Sequence, residues 1–155
     1  MAALGRMVAL DVGEARIGVA ISDPLGIIAQ PHSVLACSSP ERNVAAVRAL
    51  VEQTEAVRVV VGVPFNREGK PGPQAEKVLR FVEQLRGALN VEVVTQDERF
   101  TTAAAERMLI AANVRRKDRK QVIDKVAAQH ILQTYLDRAR RAQSLQATPE
   151  APPGE

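Results

Sequence analysis

The order of β-type and helical segments constrains the fold more than any other feature of this chain. Three short runs rich in β-forming residues precede the first helical pattern: residues 7–11, residues 16–22 and residues around 33–36. Turn-forming residues separate them, among them Gly13 and Gly26. Short connections of this kind predict an antiparallel meander of three strands.

Helical and strand patterns alternate after the meander. Pro40 marks the start of the first helix, and the later segments are a strand over residues 57–63, a helix around residues 78–87, a strand over 91–95, a helix over 101–112 and a final helix over about 121–141. Helix-linked strands after a hairpin unit imply a mixed sheet with helices on both faces. We therefore predict an α/β protein with a five-stranded sheet and a ribonuclease H-like (RNase H-like) fold.

The 155 residues fit one domain. We assign residues 1–6 to an N-terminal extension and residues 7–141 to the RNase H-like domain. Residues 142–155 contain few large apolar side chains and several Ala, Pro, Gln and Glu residues, which predicts a disordered C-terminal tail.

Composition limits the possible partners. Lys and Arg number 21 against 18 Asp and Glu, and aromatic residues are 3%, too few for a platform that stacks bases. A nucleic acid would therefore be held by its backbone. Cys37 has no second cysteine to pair with, and no apolar run has the length of a membrane span or a secretion signal. We expect a cytoplasmic protein without a membrane partner, as a monomer or a homodimer.

Asp11 ends an apolar strand, where an ionised carboxylate costs several kcal/mol or more unless a cation or hydrogen-bond donors compensate it. The alternative is a turn residue, because Asp-x-Gly is common where strands end.

Asp124 lies at the centre of the apolar arc of the final helix. At 100° per residue, Ala127, Ala128, Ile131 and Tyr135 all fall within about 60° of it. The carboxylate is therefore predicted to point into the protein. An ion pair with Arg16 or a role in the first helical turn is the alternative.

Glu98 follows the fifth strand and precedes a helix. An acid there commonly complements the positive end of the helix dipole, and neighbouring Asp97 has the same pattern.

The three carboxylates Asp11, Glu98 and Asp124 can converge on one point in this architecture. Clustered acids raise one another's pKa unless divalent cations lie between them. Mg²⁺ and Mn²⁺ prefer oxygen ligands, and two such ions roughly 4 Å apart assist phosphodiester cleavage. We predict that these residues are catalytic and hold two Mg²⁺ or Mn²⁺ ions.

Four ordered motifs resemble the YqgF family, also called RuvX: DVGEARIGVA at residues 11–20, VGVPFN at 61–66, DERFTT at 97–102 and DKVAA at 124–128. The resemblance covers residues 7–138. It implies an RNase H-like fold related to the Holliday-junction resolvase RuvC, and activity on pre-16S rRNA 5′ ends or on Holliday junctions. By motif position, the family's three acids fall on Asp11, Glu98 and Asp124.

Basic and polar residues near these motifs are predicted to bind substrate phosphates: Arg16, Asn66, Arg99, Arg115, Arg116, Lys117, Arg119 and Lys120. Solvated surface charge is the alternative for each cation, and Asn66 can instead cap the backbone of its turn.

A nucleotide-binding loop is excluded around Gly62 and Gly69, because the spacing is too long and Pro71 stands where a metal-binding Ser or Thr is required. We expect a metal-dependent nuclease, a hydrolase of phosphodiester bonds in structured nucleic acid. Its expected role is 5′-end processing of pre-16S rRNA in ribosome biogenesis. The alternatives are a Holliday junction resolvase acting on branched DNA and a non-catalytic nucleic-acid-binding assembly factor.

Overall fold

The computed structural model describes residues 3–66, 68–98 and 116–147, with side chains of the last segment described over residues 125–145. Its elements in chain order are β1 (Met7–Val12), β2 (Arg16–Ser22), β3 (Ala29–Ala36), α1 (Pro40–Thr54), β4 (Arg58–Val63), α2 (Pro73–Ala88), β5 (Glu92–Asp97) and α3 (Arg116–Ala147). The predicted helix over residues 101–112 lies outside the described residues.

The five strands form one mixed sheet in the order β3-β2-β1-β4-β5. The first three strands pair antiparallel, as the short connections predicted. The next two add in parallel, β4 beside β1 and β5 beside β4. The mixed five-stranded α/β sheet is therefore confirmed. It brings the carboxyl ends of β1, β4 and β5 to the same edge.

Alternation along the buried strands assigns residues to the two faces of the sheet. Val8 and Leu10 of β1 pack in the core beneath α1 and α2, whereas Met7 and Ala9 pack in the core beneath α3. Side chains alternate between faces along a strand. Asp11 therefore continues the series of Met7 and Ala9 and belongs to the α3 face.

The edge strand β3 is longer than predicted. It begins at Ala29 rather than near residue 33 and contains Pro31, with an irregularity in the register between Val19 and Ala20 of β2. Proline lacks an N–H, and an edge strand can leave that position unpaired. Because the first half of this strand is polar and contains a proline, the sequence pattern did not predict it.

Helix α1 begins as its sequence predicts. The Ser39 side chain accepts a hydrogen bond from the backbone N–H of Arg42, and Pro40 occupies the first turn.

Helix α3 extends beyond its predicted limits at both ends. It starts at Arg116 rather than near Gln121, so part of the predicted basic connector is helical. It ends at Ala147 rather than at Arg141, so residues 142–147 are helical where a disordered tail was expected. Residues 148–155 lie outside the described part, and the division of the chain into domain and tail stays a prediction.

Contacts to β4 fix the direction of α3. Ile131 lies against Gly62 near the end of β4, and the Tyr135 hydroxyl accepts a hydrogen bond of 2.8 Å from Arg58 at the start of that strand. The helix therefore runs antiparallel to β4, with residue 124 towards the carboxyl edge of the sheet. Among the described residues, no helix is long and apolar enough to cross a membrane.

Candidate active site

Two of the three predicted acids meet at the carboxyl edge of the sheet. Asp11 is near the end of β1, and Glu98 directly follows β5. Strand β4 lies between them, and its Gly62 pairs with Gln96 of β5. The alternation of β5 assigns Glu98 to the same face as Val94, which packs in the α3 core. Asp11 and Glu98 therefore lie on the α3 face, at the ends of the two parallel strands that flank β4.

Gly62 provides the space for the Glu98 carboxylate. A Cβ atom at residue 62 would lie 2.8 Å from Oε2 of Glu98 and 2.5 Å from Cδ1 of Ile131. Both distances are shorter than van der Waals contact. A side chain at this position would displace the carboxylate or the helix. In the sequence Gly62 stood out only in the VGVPFN motif and in the excluded nucleotide-binding loop, and neither pattern predicted this role. The available signal was a glycine within a β-branched strand, which often marks a close approach.

Glu98 is buried and held by its backbone. Glu98 is 7% exposed, and its backbone N–H donates a hydrogen bond of 3.1 Å to the carbonyl oxygen of Val63. Oε2 is buried and has no hydrogen-bond partner among the described residues. A buried carboxylate oxygen without a donor is energetically costly, so this atom is the strongest indication of a missing partner.

Electrostatics at Glu98 point to a cation. Burial, together with the negative charges of Asp11 and Asp97, raises the pKa of the Glu98 carboxyl from 4.5 to about 8. A divalent cation reverses both effects, because it compensates the buried charge and screens the repulsion from Asp11. The oxygen donors of Asp11 and Glu98 fit Mg²⁺ or Mn²⁺, which prefer carboxylate and water ligands.

The structure separates Asp97 from Glu98, which the sequence pattern left equivalent. Asp97 is exposed and pairs in the register with Val63, whereas Glu98 is buried towards α3. Asp97 contributes negative charge near Glu98. Of the two adjacent acids, Glu98 is therefore the one positioned to act with Asp11.

The third predicted acid, Asp124, belongs to α3, one turn before Ala128 and two turns before Ile131. Those two residues are buried, as are Ala127 and Leu132, so the predicted inward arc is confirmed where side chains are described. The Asp124 side chain lies outside the described residues. Within the described part of the chain, no group of three His, Cys, Asp or Glu residues could hold a metal ion.

The basic residues among the predicted phosphate contacts fall into two groups. Arg16 starts β2 and is half-buried, and its carbonyl oxygen accepts a hydrogen bond of 2.8 Å from Gly13 across the turn after β1. This places its backbone near the edge that carries Asp11. The others lie outside the described residues or have side chains outside them: Arg99, Arg115, Arg116, Lys117, Arg119 and Lys120.

Asn66 organises the loop after β4. Its Oδ1 accepts hydrogen bonds from the backbone N–H groups of Glu68, at 3.0 Å, and of Lys70, at 2.9 Å. Its own N–H donates to the Lys70 carbonyl oxygen at 3.0 Å. These contacts are those of a turn cap, the alternative that the sequence offered. A contact from Asn66 to substrate stays a prediction.

Comparison with known proteins identifies the family of this chain. The model of a family described as "RuvX: Holliday junction resolvase" matches residues 5–138, most of the chain. The chain belongs to the RuvX family. Two relatives, from Halothermothrix orenii and Thermoanaerobacter pseudethanolicus, carry the name "Putative pre-16S rRNA nuclease". The first is 47% identical over 85% of this chain and 94% of its own length, and the second is 45% identical over 85% and 96%.

Solved structures confirm the RNase H-like fold of this RuvX family member. Thermus thermophilus RuvC in complex with a Holliday junction substrate superposes with a TM-score of 0.59 at 18% identity, over 88% of this chain and 96% of RuvC. The fowlpox virus Holliday junction resolvase superposes with a TM-score of 0.52 at 16% identity, over 86% of this chain and 99% of the viral protein.

Proposed function

We propose that this RuvX family member is a divalent-metal-dependent nuclease that hydrolyses phosphodiester bonds in structured nucleic acid. Its proposed substrate is the 5′ end of pre-16S rRNA, the RNA for which its curated relatives are named. The observation that carries the proposal is the Oε2 atom of Glu98, a buried oxygen without a donor beside Asp11. A bound cation would supply the partner that Oε2 of Glu98 lacks among the described residues.

Asp11, Glu98 and Asp124 would hold the metal ions. When bound, the ions would supply an activated water and neutralise charge on the attacking and leaving oxygens. Residues of the chain itself hold the Glu98 carboxylate in position. Val63 holds the Glu98 backbone by a hydrogen bond of 3.1 Å, and Gly62 leaves the space that its carboxylate occupies.

Substrate positioning would fall on the cations near this edge. Arg16 stands at the start of β2, and Arg99 with the basic residues 115–120 would contact flanking phosphates. An arginine guanidinium group can donate two parallel hydrogen bonds to one phosphate, and this pair of bonds fixes the orientation of the phosphate. We propose that these residues bind the backbone while the acids act on a single phosphodiester bond.

A cleavage assay tests the proposal. Pre-16S rRNA fragments and four-way DNA junctions are incubated separately with the protein and Mg²⁺ or Mn²⁺. We expect metal-dependent cleavage of the RNA, and a loss of at least about 100-fold in rate for Asp11→Asn and Glu98→Gln. Asp97→Asn is the matched control, since it removes an exposed neighbouring charge, and it should retain most activity. Equal cleavage by wild type and Asp11→Asn would contradict the mechanism.

The description of the matched family favours one alternative substrate. Preferred cleavage of the four-way junction, with the same dependence on Asp11, would reassign the protein as a Holliday junction resolvase. A non-catalytic assembly factor predicts binding without cleavage of either substrate, and binding that is insensitive to the acids.

A further inference from the structure

Three arginines near the C-terminal end of α3 form a second concentration of positive charge, in which Arg138 and Arg141 share one face of the helix and Arg140 lies on another. Arg138 and Arg141 are exposed and Arg140 is half-buried, and we call these three residues the α3 arginine cluster. The last buried residue of the described part of α3 is Leu136, so the cluster lies where the helix no longer packs in the core.

The charge of the α3 arginine cluster is not compensated within the described part of the chain. No described carboxylate lies within ion-pair distance of any of the three arginines. The nearest acid in sequence, Asp137, accepts a hydrogen bond of 3.1 Å from Gln133 on its own helix. No acidic residue occurs between Arg138 and Ala147. The cluster therefore carries three positive charges that no described carboxylate pairs with, and Arg138 and Arg141 are exposed to solvent.

Helix stability does not explain this arrangement. Cations stabilise a helix when they lie in its last turn, where they interact with the negative end of the dipole. The last turn of α3, which ends at Ala147, contains no basic residue. The nearest of the arginines, Arg141, is six residues before Ala147 and lies outside that turn. Their position favours a role in binding a partner.

The location of the cluster is set by the direction of α3. Tyr135 is hydrogen-bonded to Arg58 at the start of β4, so the arginines that follow lie beyond the amino edge of the parallel strands. The active-site acids lie at the opposite edge. At 1.5 Å per residue, Arg138 and Arg141 are about 21 and 26 Å along the helix axis from residue 124. One extended ligand could contact both ends.

We propose that the α3 arginine cluster is a second binding site for the phosphodiester backbone of the nucleic-acid substrate. The identity of this ligand rests on the proposed nuclease function. Arginine binds phosphate through its planar fork of donors, and each phosphate contact contributes independently of base sequence. A membrane surface fits less well, because an interfacial helix needs a broad apolar face. In the described last turns, Leu145 is the one large exposed apolar residue.

The separation of the two sites predicts a minimum substrate length. A span of about 21 to 26 Å corresponds to roughly 7 base pairs at the 3.4 Å rise of a DNA duplex. A longer duplex reaches the arginines while it occupies the acidic site, and a shorter one does not. The cluster should therefore strengthen the binding of long substrates and leave short ones unaffected.

The test measures binding by fluorescence anisotropy in the Glu98→Gln background, which retains substrate and removes the expected cleavage. The cluster variant is Arg138→Gln, Arg140→Gln and Arg141→Gln. The matched control is Arg42→Gln, Arg48→Gln and Arg80→Gln, three exposed helical arginines on α1 and α2 with the same change in net charge. The probes are labelled hairpins with stems of 24 and 5 base pairs, made as RNA and as DNA, because two separate strands would not stay paired over 5 base pairs. Circular dichroism checks the helix content of each variant.

We expect the cluster variant to bind the 24-base-pair probe at least about 10-fold more weakly and with a shallower salt dependence, by two to three in the slope of log K against log salt. The control should change less, and the 5-base-pair probe should bind both variants equally.

Several outcomes would overturn the proposal: an equal loss in the control, an equal loss with the short probe, no loss, or no binding by the parent protein. Arginine-dependent binding to phosphatidylserine vesicles without such binding to either duplex would also overturn it.

Cleavage by the wild-type protein separates the two proposals. If it cleaves neither RNA nor DNA while the long probe still binds through the arginines, the nuclease proposal fails and the surface stands. If it cleaves normally and the cluster variant binds like the control, the surface fails and the nuclease proposal stands.

Discussion

The Glu98 carboxylate lies in the space that a side chain at residue 62 would fill, 2.8 Å from the position of a Cβ on Gly62. Glycine is therefore required near the end of a strand whose other residues are Arg58 and four valines. The requirement comes from the site rather than from the strand, because a glycine in a strand interior weakens it.

Gly62→Ala should disable the enzyme without unfolding it. The added methyl displaces Glu98 or pushes Ile131 away, so we expect a loss of at least about 10-fold in cleavage rate and roughly 1–3 kcal/mol of stability. Cleavage kinetics and denaturant unfolding measure the two effects.

Gly87→Ala is the matched control for that substitution. A Cβ at Gly87 meets nothing within 4 Å, and the residue is in α2, where alanine is favoured over glycine. It should keep full activity and gain slight stability. Full activity in Gly62→Ala would show that the position of the Glu98 carboxylate is unimportant for cleavage.

The raised pKa of Glu98 makes stability dependent on pH in the absence of divalent ions. Its folded pKa is about 8 against an ordinary value of 4.5, so the folded protein binds more protons than the unfolded chain between these limits. The free energy of unfolding therefore falls as pH rises from about 4.5 to 8, by roughly 2–4 kcal/mol. Thermal melts in EDTA across that range measure the change.

Glu98→Gln removes the titrating group while keeping its shape. The variant should melt at a higher temperature than wild type at pH 8, by several degrees, and equally near pH 4.5. Asp97→Asn removes the smallest of the three causes that raise the pKa of Glu98, so it should reduce the pH dependence only slightly. Parallel melting curves for wild type and Glu98→Gln over the whole range would contradict the assignment of the buried charge.

Asn66 offers a test between a turn cap and a phosphate contact. Asn66→Asp keeps the oxygen that accepts from the Glu68 and Lys70 N–H groups, whereas Asn66→Ala removes it. We expect Asn66→Asp to keep a near wild-type KM and Asn66→Ala to lose roughly 1–2 kcal/mol of stability. A direct phosphate contact predicts the reverse for KM, because an aspartate repels the substrate. Steady-state kinetics and thermal melts separate the two.

Much of the fold could be predicted from sequence because local patterns agree with the tertiary structure. The β2 strand has the predicted bounds of Arg16 and Ser22. The mixed sheet was predicted because short turns connect the first three strands and helices connect the next two. The first half of β3 could not be predicted, because Pro31 is tolerated there only through its place at the sheet edge. Residues 142–145 of α3 are exposed or half-buried, so no apolar periodicity predicted that part of the helix.

The candidate site was predictable in its parts and not in its arrangement. Helical periodicity identified the inward arc that Ala128 and Ile131 occupy, and a strand end identified Asp11. The choice of Glu98 over Asp97 depended on which face of β5 each residue shares, and the role of Gly62 depended on a contact across two strands. Contacts of this kind follow from register, which a single sequence does not contain.

Isothermal titration of Mn²⁺ into the apo protein at pH 7.5 tests the central claim most directly. In the proposed site Glu98 and Asp11 would hold a cation together, so we predict saturable Mn²⁺ binding by wild type and Asp97→Asn, and a loss of at least about 10-fold in affinity for Glu98→Gln and Asp11→Asn. Proton release should accompany binding to wild type, because the cation displaces the proton that Glu98 holds when its pKa is about 8. Equal Mn²⁺ affinity in all four proteins would contradict the account.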